Sequence, residues 1–453
     1  MIELSTVSEV GNVGLSNKGD RALYLQELLN LRVPLQDSLI GLQVMRDRAT
    51  ARVQELAIPS TREEAWRFAD LTPLLHAELQ PVDVHPTLGF PHIKPFIVAE
   101  AVSSRLVFVN GIYDPALSAV DSLPDGVLVT NLATAVAFKQ LSPHLAQQPG
   151  AEEVFTTLNT ASFTDGALIW VDKDQVVDIP IQILYVSTAT QPAIAHPRCL
   201  VIAQPGSKFT LIEEFVALHE GIYFTNSVTE IVISESAEVN HTRVQQDSSE
   251  AFHIGKTVAT QAQNSRYTCN AISLGGKLSR HNLEVYQIGE QTDTVLNGLT
   301  MITGDQVSDT HSAIAFTKPH STSHQIHKCI VDDHAHAIFN GRVVVPKAAQ
   351  LTNAGQLSKT LLLSPKARVD TKPQLEIVAD NVKCSHGATV SQLDNDEVFY
   401  LQSRGIDEVR SRQLLTYAFA YEVIDQIPVA SLKNRLSANC QVSAYAIARP
   451  PQP

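Results

Sequence analysis

The sequence predicts a mainly β protein, with a parallel β-helix core between helical segments towards both ends of the chain. From about residue 165 to residue 398, short segments rich in Val, Ile and Thr alternate with Gly, Pro, Asn and Asp. A small residue, a polar residue and an alternating strand recur at starts 30, 28 and 27 residues apart. This drifting period is typical of a solenoid whose coils share one core. Regular hairpins of an antiparallel sandwich remain an alternative. The repeats start at Ser207, Ala237, Ser265 and Thr292.

The pattern of apolar and turn-forming residues divides the chain into three regions. Residues 1–160 are predicted to form an N-terminal helical and mixed region, and residues 161–400 to form the β-helix core. Residues 401–453 are predicted to form a C-terminal helical region. At about 150 residues per domain, a chain of 453 residues accommodates two or three such units.

Within the N-terminal region, helices and strands are predicted in turn. Asp20 is a candidate cap for an apolar run over residues 23–29, and a second helical run covers residues 40–45. Residues 106–109 are predicted to form a strand ahead of an Asn-Gly turn, and residues 134–158 to form another helix.

The C-terminal region begins with a predicted long helix. Asp407 is a plausible N-cap, and Pro428 is expected to end the helix. The apolar positions, which include Leu414, Leu415 and Phe419, cover more than one narrow stripe. This width is explained either by packing on the chain's own core or by docking of a partner, and the sequence leaves both open.

Composition and charge exclude several classes of function. The formal net charge is -13 and the isoelectric point is about 5.6, so phosphate backbones and anionic lipid surfaces are repelled. We therefore expect neither a nucleic acid nor a membrane as a partner. The first residues lack the pattern of a signal or transit peptide, and the five cysteines are scattered without a C-x-x-C pair. These features predict a cytoplasmic protein.

One short segment combines a thiol and an imidazole. Strand alternation places Cys384 and His386 on the same side, where both could face one metal ion. Two ligands leave the remaining positions to be filled from elsewhere. The alternative is a core cysteine beside a core histidine on an otherwise apolar face.

Two other constellations match no complete motif, and the sequence leaves open whether the first of them binds a metal. Six histidines lie between His311 and His336, but their spacing matches no structural zinc pattern and no H-E-x-x-H helix. The lysine that follows Gly275 and Gly276 lacks the Ser or Thr and the earlier glycine of a P-loop. The sequence therefore predicts no ATP site of that kind.

Three motifs run from the end of the β region into the C-terminal helices: DTKPQLEI at 370–377, KCSHGAT at 383–389 and FYLQSRGI at 399–406. Together they resemble the C-terminal signature of the SufB/SufD family of iron–sulfur cluster assembly proteins. The resemblance covers about residues 55 to 430, and its N-terminal part around Trp66 is similar to the SufD branch. Smaller matches fall on Ser279, Arg280, Gly289, Asp309, Ser323, Gln325, Lys328, Phe339 and Gly341.

The resemblance implies a right-handed parallel β-helix that pairs with SufB and docks the SufC ATPase through its C-terminal helical part. The family's cluster-assembly histidine falls on His386, with Cys384 two residues before it. Leu414, Leu415 and Phe419 are then candidate contacts with SufC. No cofactor is expected to be permanently bound, and a transient iron or iron–sulfur cluster would be shared with SufB. The chain would be a non-catalytic scaffold, and it could form a homodimer when isolated.

Two functions of other classes compete with this interpretation. A β-helix enzyme acting on polysaccharides would need paired carboxylates or arginines in a groove, and the sequence fixes no such pair. A stand-alone iron or zinc protein would need a complete ligand set in this chain alone.

Overall fold

The computed structural model describes residues 18–35, 42–82, 88–135, 143–188 and 190–447. In these residues two long sheets, which we call sheet I and sheet II, enclose a shared apolar core. The strands of sheet I are β2 (Arg105–Val109), β3 (Ile112–Tyr113), β6 (Ile181–Ser187), β9 (Lys208–Ala217), β11 (Glu238–Asp247), β13 (Arg266–Gly275), β15 (Asp293–Ile302), β17 (Thr322–Val331), β19 (Asn353–Leu362) and β21 (Lys383–Ser391). The strands of sheet II are β1 (Gln80–Pro81), β4 (Val127–Asn131), β5 (Ala167–Val171), β7 (Ala193–Ala195), β8 (Arg198–Ala203), β10 (Tyr223–Ile233), β12 (Phe252–Gln261), β14 (Leu278–Gln287), β16 (Val307–Phe316), β18 (His336–Val345) and β20 (Arg368–Ile377).

In the sequence, helices precede and follow the regular coils of this β core. Short 3-10 segments occupy Glu64–Trp66, Lys94–Phe96 and Ala99–Ala101. The α-helices are α1 (Lys18–Asn30), α2 (Gln43–Val53), α3 (Thr72–Leu75), α4 (Phe90–Ile93), α5 (Leu132–Ala135), α6 (Val154–Ser162), α7 (Asn395–Ser403), α8 (Glu408–Ile424) and α9 (Ala430–Ile447). Among the described residues, none of these helices has both the length and the apolar character that crossing a lipid bilayer requires.

The core is a parallel β-solenoid, which confirms the predicted fold class. From β9 to β21 the chain alternates between the two sheets, so each coil adds one strand to each sheet. Each strand pairs in parallel with the strand of the next coil, as in the register Lys208, Glu238, Arg266 and Asp293 along sheet I. These residues are the polar positions of the repeat read from the sequence, so the predicted period is the length of one coil. The parallel ladders exclude the antiparallel sandwich.

The small residue of each repeat forms a corner of the coil. Ser207, Ala237, Ser265 and Thr292 are almost completely buried, and each follows a residue with positive φ. A left-handed residue bends the chain sharply, and the small side chain after it fits the crowded interior of the corner. The same pair recurs at Ser321 and Thr352, beyond the repeats found in the sequence. The repeat therefore encodes the turn as well as the strand.

The N-terminal region packs along sheet II from β10 to β18 and also supplies strands at the start of the β core. The predicted strand at residues 106–109 is confirmed, and it pairs in parallel with β6. The helix predicted over residues 134–158 is wrong as one element, because turns and bends occupy residues 143–153 before α6. Pro143 and the Pro149-Gly150 pair explain the interruption. Asp20 lies inside the first turn of α1, where its carboxylate complements the helix dipole. Ile40, the first residue of the second predicted run, lies outside the described residues.

Arg280 on sheet II contacts the N-terminal region through a hydrogen bond and a cation–π interaction. Its guanidinium donates to Asp309 Oδ2 at 2.5 Å and to the Ala65 carbonyl oxygen at 2.7 Å, and its Cζ lies 3.8 Å from the Trp66 ring centroid. Burial would raise the pKa of Asp309, but the charges of Arg280 and His311 outweigh it and hold that pKa below its ordinary value. Two motifs far apart in the sequence thus meet in one buried contact.

The C-terminal helices pack on the outer face of sheet I. Asp407 caps α8 as predicted, since its side chain accepts a hydrogen bond from the Arg410 backbone N–H. The helix ends at Ile424, and a second helix, α9, follows Pro428. Both helices bury apolar side chains against the sheet, where Ile212, Val244, Ile272, Leu299 and Ile330 meet Ala420, Val423, Ile424, Ile427 and Leu432.

A buried ion pair joins α9 to sheet I and should make stability depend on pH. Glu214 contacts Arg435 and accepts a hydrogen bond from Gln182 Nε2 at 2.7 Å. Burial nevertheless raises the pKa of Glu214 from 4.5 to about 7, because desolvation outweighs the attraction of Arg435. Between these two values the native chain holds a proton that the unfolded chain has released. The contribution of Glu214 to the free energy of unfolding therefore falls by about 3 kcal/mol as the pH rises from about 4.5 to 7.

Urea unfolding at a series of pH values checks this expectation. The Glu214→Gln variant cannot ionise, so it should lose that part of the pH dependence while the wild type keeps it. The variant Glu376→Gln, which changes a half-exposed carboxylate, serves as the control. Parallel stability curves for wild type and Glu214→Gln would contradict the expected titration.

Candidate functional site

The last strand of sheet I brings His386 to an open end of the solenoid. Within the described residues β21 pairs with β19 on one side and has no strand on the other. Cys384 packs against the interior core together with Val382 and Leu375, and alternation along β21 puts His386 on the same face. His386 is exposed because no further coil covers it. The strand thus presents an imidazole where the solenoid stops.

Cys384 occupies a different environment from His386, although they are two residues apart. Its side chain is half-buried, and burial raises the pKa of its thiol above the ordinary value. Only the thiolate binds a metal well, so this environment favours the protonated form in the isolated chain. The structure therefore gives the two predicted site residues unequal access to a ligand.

A depression of about 400 Å³ opens next to His386. It spans neighbouring strands of sheet I, and His324 and Leu357 stand among its lining residues. Gly355 and Gly387 also line it and have no side chain to fill it; a Cβ on Gly387 would lie 3.2 Å from Leu357 Cδ1. The surroundings of His386 are thus open to a side chain or an ion from outside this chain.

A ladder of buried amides leads from the interior to the strand that carries His386. Gln325 and Gln356 occupy the same register position as His386 on the preceding strands, and each is less than one tenth exposed. Gln356 Nε2 donates to Gln325 Oε1 at 2.9 Å, and Gln325 Nε2 donates to Ser312 Oγ at 2.7 Å. Reading the sequence alone did not single out Gln356. The one indirect indication of Gln356 in the sequence was Gly341, which matched the family. The Gln356 amide packs against this glycine.

The six histidines between His311 and His336 do not converge. His327 is buried in the interior and stacks on Phe339, and burial lowers its pKa to about 3. On sheet II, His336 Nε2 lies 2.7 Å from Asp370 Oδ2, whereas His324 is exposed on sheet I. In the part of the chain that the structure describes, no group of three His, Cys, Asp or Glu side chains is arranged to hold a metal ion.

The C-terminal helix exposes part of its predicted contact surface. Leu414 is exposed, whereas Leu415 and Phe419 are partly buried. Phe419 packs on the outer face of sheet I, and the Lys328 ammonium lies 4.3 Å from its ring centroid. The sequence left two explanations for the wide apolar face of this helix. For Phe419 the structure favours packing on the chain's own core. Phe399 and Tyr400 on α7 are 70% and 58% exposed. They belong to the motif FYLQSRGI, which resembles the family's signature but had no predicted function.

Comparisons with known proteins agree along most of the chain. A family model described as SUF system FeS cluster assembly, SufBD core domain, matches residues 185–419, and one for the SufBD protein N-terminal region matches residues 31–183. The chain is 45% identical to an iron-sulfur cluster assembly SufBD family protein of Synechocystis, over 86% of this chain and 88% of that protein. It is 33% identical to the chloroplastic protein ABCI7 of Arabidopsis thaliana, over 90% and 89% of the two chains. It is 30% identical to the iron-sulfur cluster assembly protein SufD of Escherichia coli, over 86% and 91%.

Proposed function

This chain belongs to the SufBD family of iron–sulfur cluster assembly proteins, and we propose that it is the SufD-type scaffold subunit of a complex with SufB and the SufC ATPase. The observation that carries the proposal is the exposed His386 at the open end of the solenoid. A cluster-forming site between two chains needs ligands at an uncovered end, and this end supplies an imidazole.

In this proposal His386 is a transient ligand of iron or of the nascent cluster, which is cargo of the complex. The described residues of this chain bring together no three candidate ligands, so the other ligands would come from SufB. Cys384 would take part after loss of its proton, since its thiol is half-buried at the same end. A site shared between two chains can release its product, because neither half binds it fully.

The open end also has the features of a strand-pairing surface for SufB. β20 and β21 are the last described strands of their sheets, and each leaves one row of backbone N–H and C=O groups without a neighbouring strand. Ile377, Val378 and Val390 expose apolar side chains nearby. Adding strands of a partner would pair these edges and cover the apolar residues.

We assign ATP hydrolysis to SufC, because the sequence of this chain lacks a P-loop. Exposed Leu414 on α8 and exposed Phe399 and Tyr400 on α7 form the proposed docking surface for SufC. Leu415 and Phe419, also predicted as contacts, would support this surface from beneath, because both are partly buried. A cytoplasmic location accords with five cysteines that form no disulfide.

Co-purification tests the proposed complex. A tagged form of the whole chain, produced with SufB and SufC, should retain both proteins in fixed ratio. The Leu414→Asp variant should retain SufB and bind SufC at least about tenfold more weakly, because an unpaired carboxylate would be desolvated at the contact. Leu414 is already exposed, so the folded chain tolerates the charge.

The matched control is Leu23→Asp, which changes an exposed leucine on α1. Calorimetric titration of SufC into the preformed complex of each variant with SufB measures the affinity. Equal SufC affinity for the Leu414→Asp and Leu23→Asp proteins would reject the docking surface, and a chain that co-purifies with neither protein would reject the complex.

A further inference from the structure

The buried amide of Gln356 has an acceptor oxygen that lacks a donor. The side chain is 4% exposed, and its Nε2 is committed to Gln325 Oε1, 2.9 Å away. Gln356 Oε1 is buried and has no hydrogen-bond partner among the described residues. Buried polar atoms are nearly always paired, so Gln356 Oε1 is an acceptor that a donor brought to this end of the solenoid could satisfy.

The position of the amide is fixed from two sides. Gln325, which accepts from Gln356, is itself bound to Ser312 Oγ at 2.7 Å. Gly341 lies against the amide from sheet II, where a Cβ would stand only 1.8 Å from Gln356 Nε2. The glycine thus provides the space in which the amide lies, and the hydrogen bond that Nε2 donates leaves Oε1 as the free end.

His386 is a candidate for the missing donor, because it lies beside Gln356 on the next strand and lines the same depression. Gln356 and His386 are direct register partners on β19 and β21, and neighbouring strands are about 4.8 Å apart. Alternation puts both side chains on the same face of sheet I. In the isolated chain the imidazole is exposed. A change of its side-chain rotamer, when a partner covers this end, would bring a ring N–H towards Oε1.

We propose that Gln356 is a positioning residue for His386: in the assembled complex its Oε1 accepts one ring N–H of that imidazole. The other ring nitrogen then carries the lone pair and faces the iron. The inference rests on the proposed role of His386 as an iron ligand. Histidine ligands of metals commonly donate their second ring N–H to a carbonyl oxygen, which fixes both the tautomer and the ring orientation.

The tautomer of His386 in the complex is a direct readout of this contact. Histidine-selective ¹⁵N solid-state NMR on the sedimented complex with SufB and SufC measures it, and loss of the signal in His386→Ala assigns it. One tautomer should exceed the other by about fivefold in the wild type, because only one offers an N–H to Oε1. In Gln356→Met, which has no such acceptor, the preference should disappear.

Gln287 offers a matched control. It is completely buried in the same solenoid and also has an unpartnered Oε1, but its register partners are Gln261 and Phe316. Gln287→Met should therefore leave the His386 tautomer unchanged. A mixture of tautomers in the wild type, or an unchanged ratio in Gln356→Met, would overturn the proposal. Should Gln356→Met fail to fold, Gln356→Leu, which also lacks the acceptor, replaces it, and the wild-type ratio decides by itself if neither variant folds.

Iron retention distinguishes this contact from the proposed function. Gln356→Met should weaken iron retention by the complex about tenfold, as loss of outer-shell partners commonly does. In a His386→Ala background the same change should have no further effect. Additive losses would overturn the positioning role. If His386→Ala itself left iron retention unchanged, the proposed function would fall, whereas the tautomer ratio would still decide the contact.

Discussion

The His386→Ala variant is expected to fold, to join the complex with SufB and SufC, and to lose at least about tenfold in cluster yield. Loss of an outer-shell partner alone commonly costs 10–100-fold in metal affinity, and a direct ligand should matter no less. His386 is exposed at the end of the solenoid and no described neighbour depends on its side chain for a hydrogen bond or an ion pair. Its removal should therefore cost little stability.

Reconstitution of the purified complex with iron, a sulfide source and ATP, followed by absorbance and acid-labile sulfide, measures the yield. His324→Ala is the matched control, because it removes a second exposed histidine that lines the same depression. A wild-type yield from a complete His386→Ala complex would make the assignment wrong. Failure of that variant to fold would show that His386 is needed for the structure.

Replacing Arg280 with methionine is expected to lower the free energy of unfolding by about 3–5 kcal/mol. The change removes the partner of Asp309, which is 1% exposed and would remain as a buried carboxylate beside His311. It also removes the bond to the Ala65 carbonyl oxygen and the stacking on Trp66. The N-terminal region should consequently detach more easily from sheet II.

The control for this change is Arg342→Met, which removes an arginine of similar chemistry on the same sheet. Arg342 forms two hydrogen bonds with Glu376, at 2.7 and 2.8 Å, but both side chains are about half exposed. Exposed pairs contribute about 0–1 kcal/mol, so this variant should remain close to the wild type. Chemical unfolding of the three proteins provides the comparison, and equal losses in the two variants would show that burial is not the cause.

The repeat, and the face of the strand on which the site residues lie, were predictable from the order of the amino acids. Spacings of 30, 28 and 27 residues between repeat starts became one coil each, because parallel strands in register require coils of nearly constant length. Strand alternation likewise related Cys384 to His386, since the side-chain period of two needs no knowledge of the neighbours. The N-cap Asp407 was predictable for the same reason: its partner lies three residues away.

Which side chains are covered and which remain exposed depends on how the coils and helices pack on one another. The apolar pattern of α8 cannot distinguish Leu414 from Phe419, because sheet I alone determines which of them it buries. The histidines around His327 are close in sequence, yet they do not meet. His311 and His336 lie on strands of sheet II, whereas His324 and His327 lie on sheet I. The contact proposed between Gln356 and His386 depends on the register of two strands about 30 residues apart in the chain, which no local pattern encodes. Local periodicity thus specified the coil, whereas the stacking of coils determined where the solenoid ends and which imidazole is exposed there.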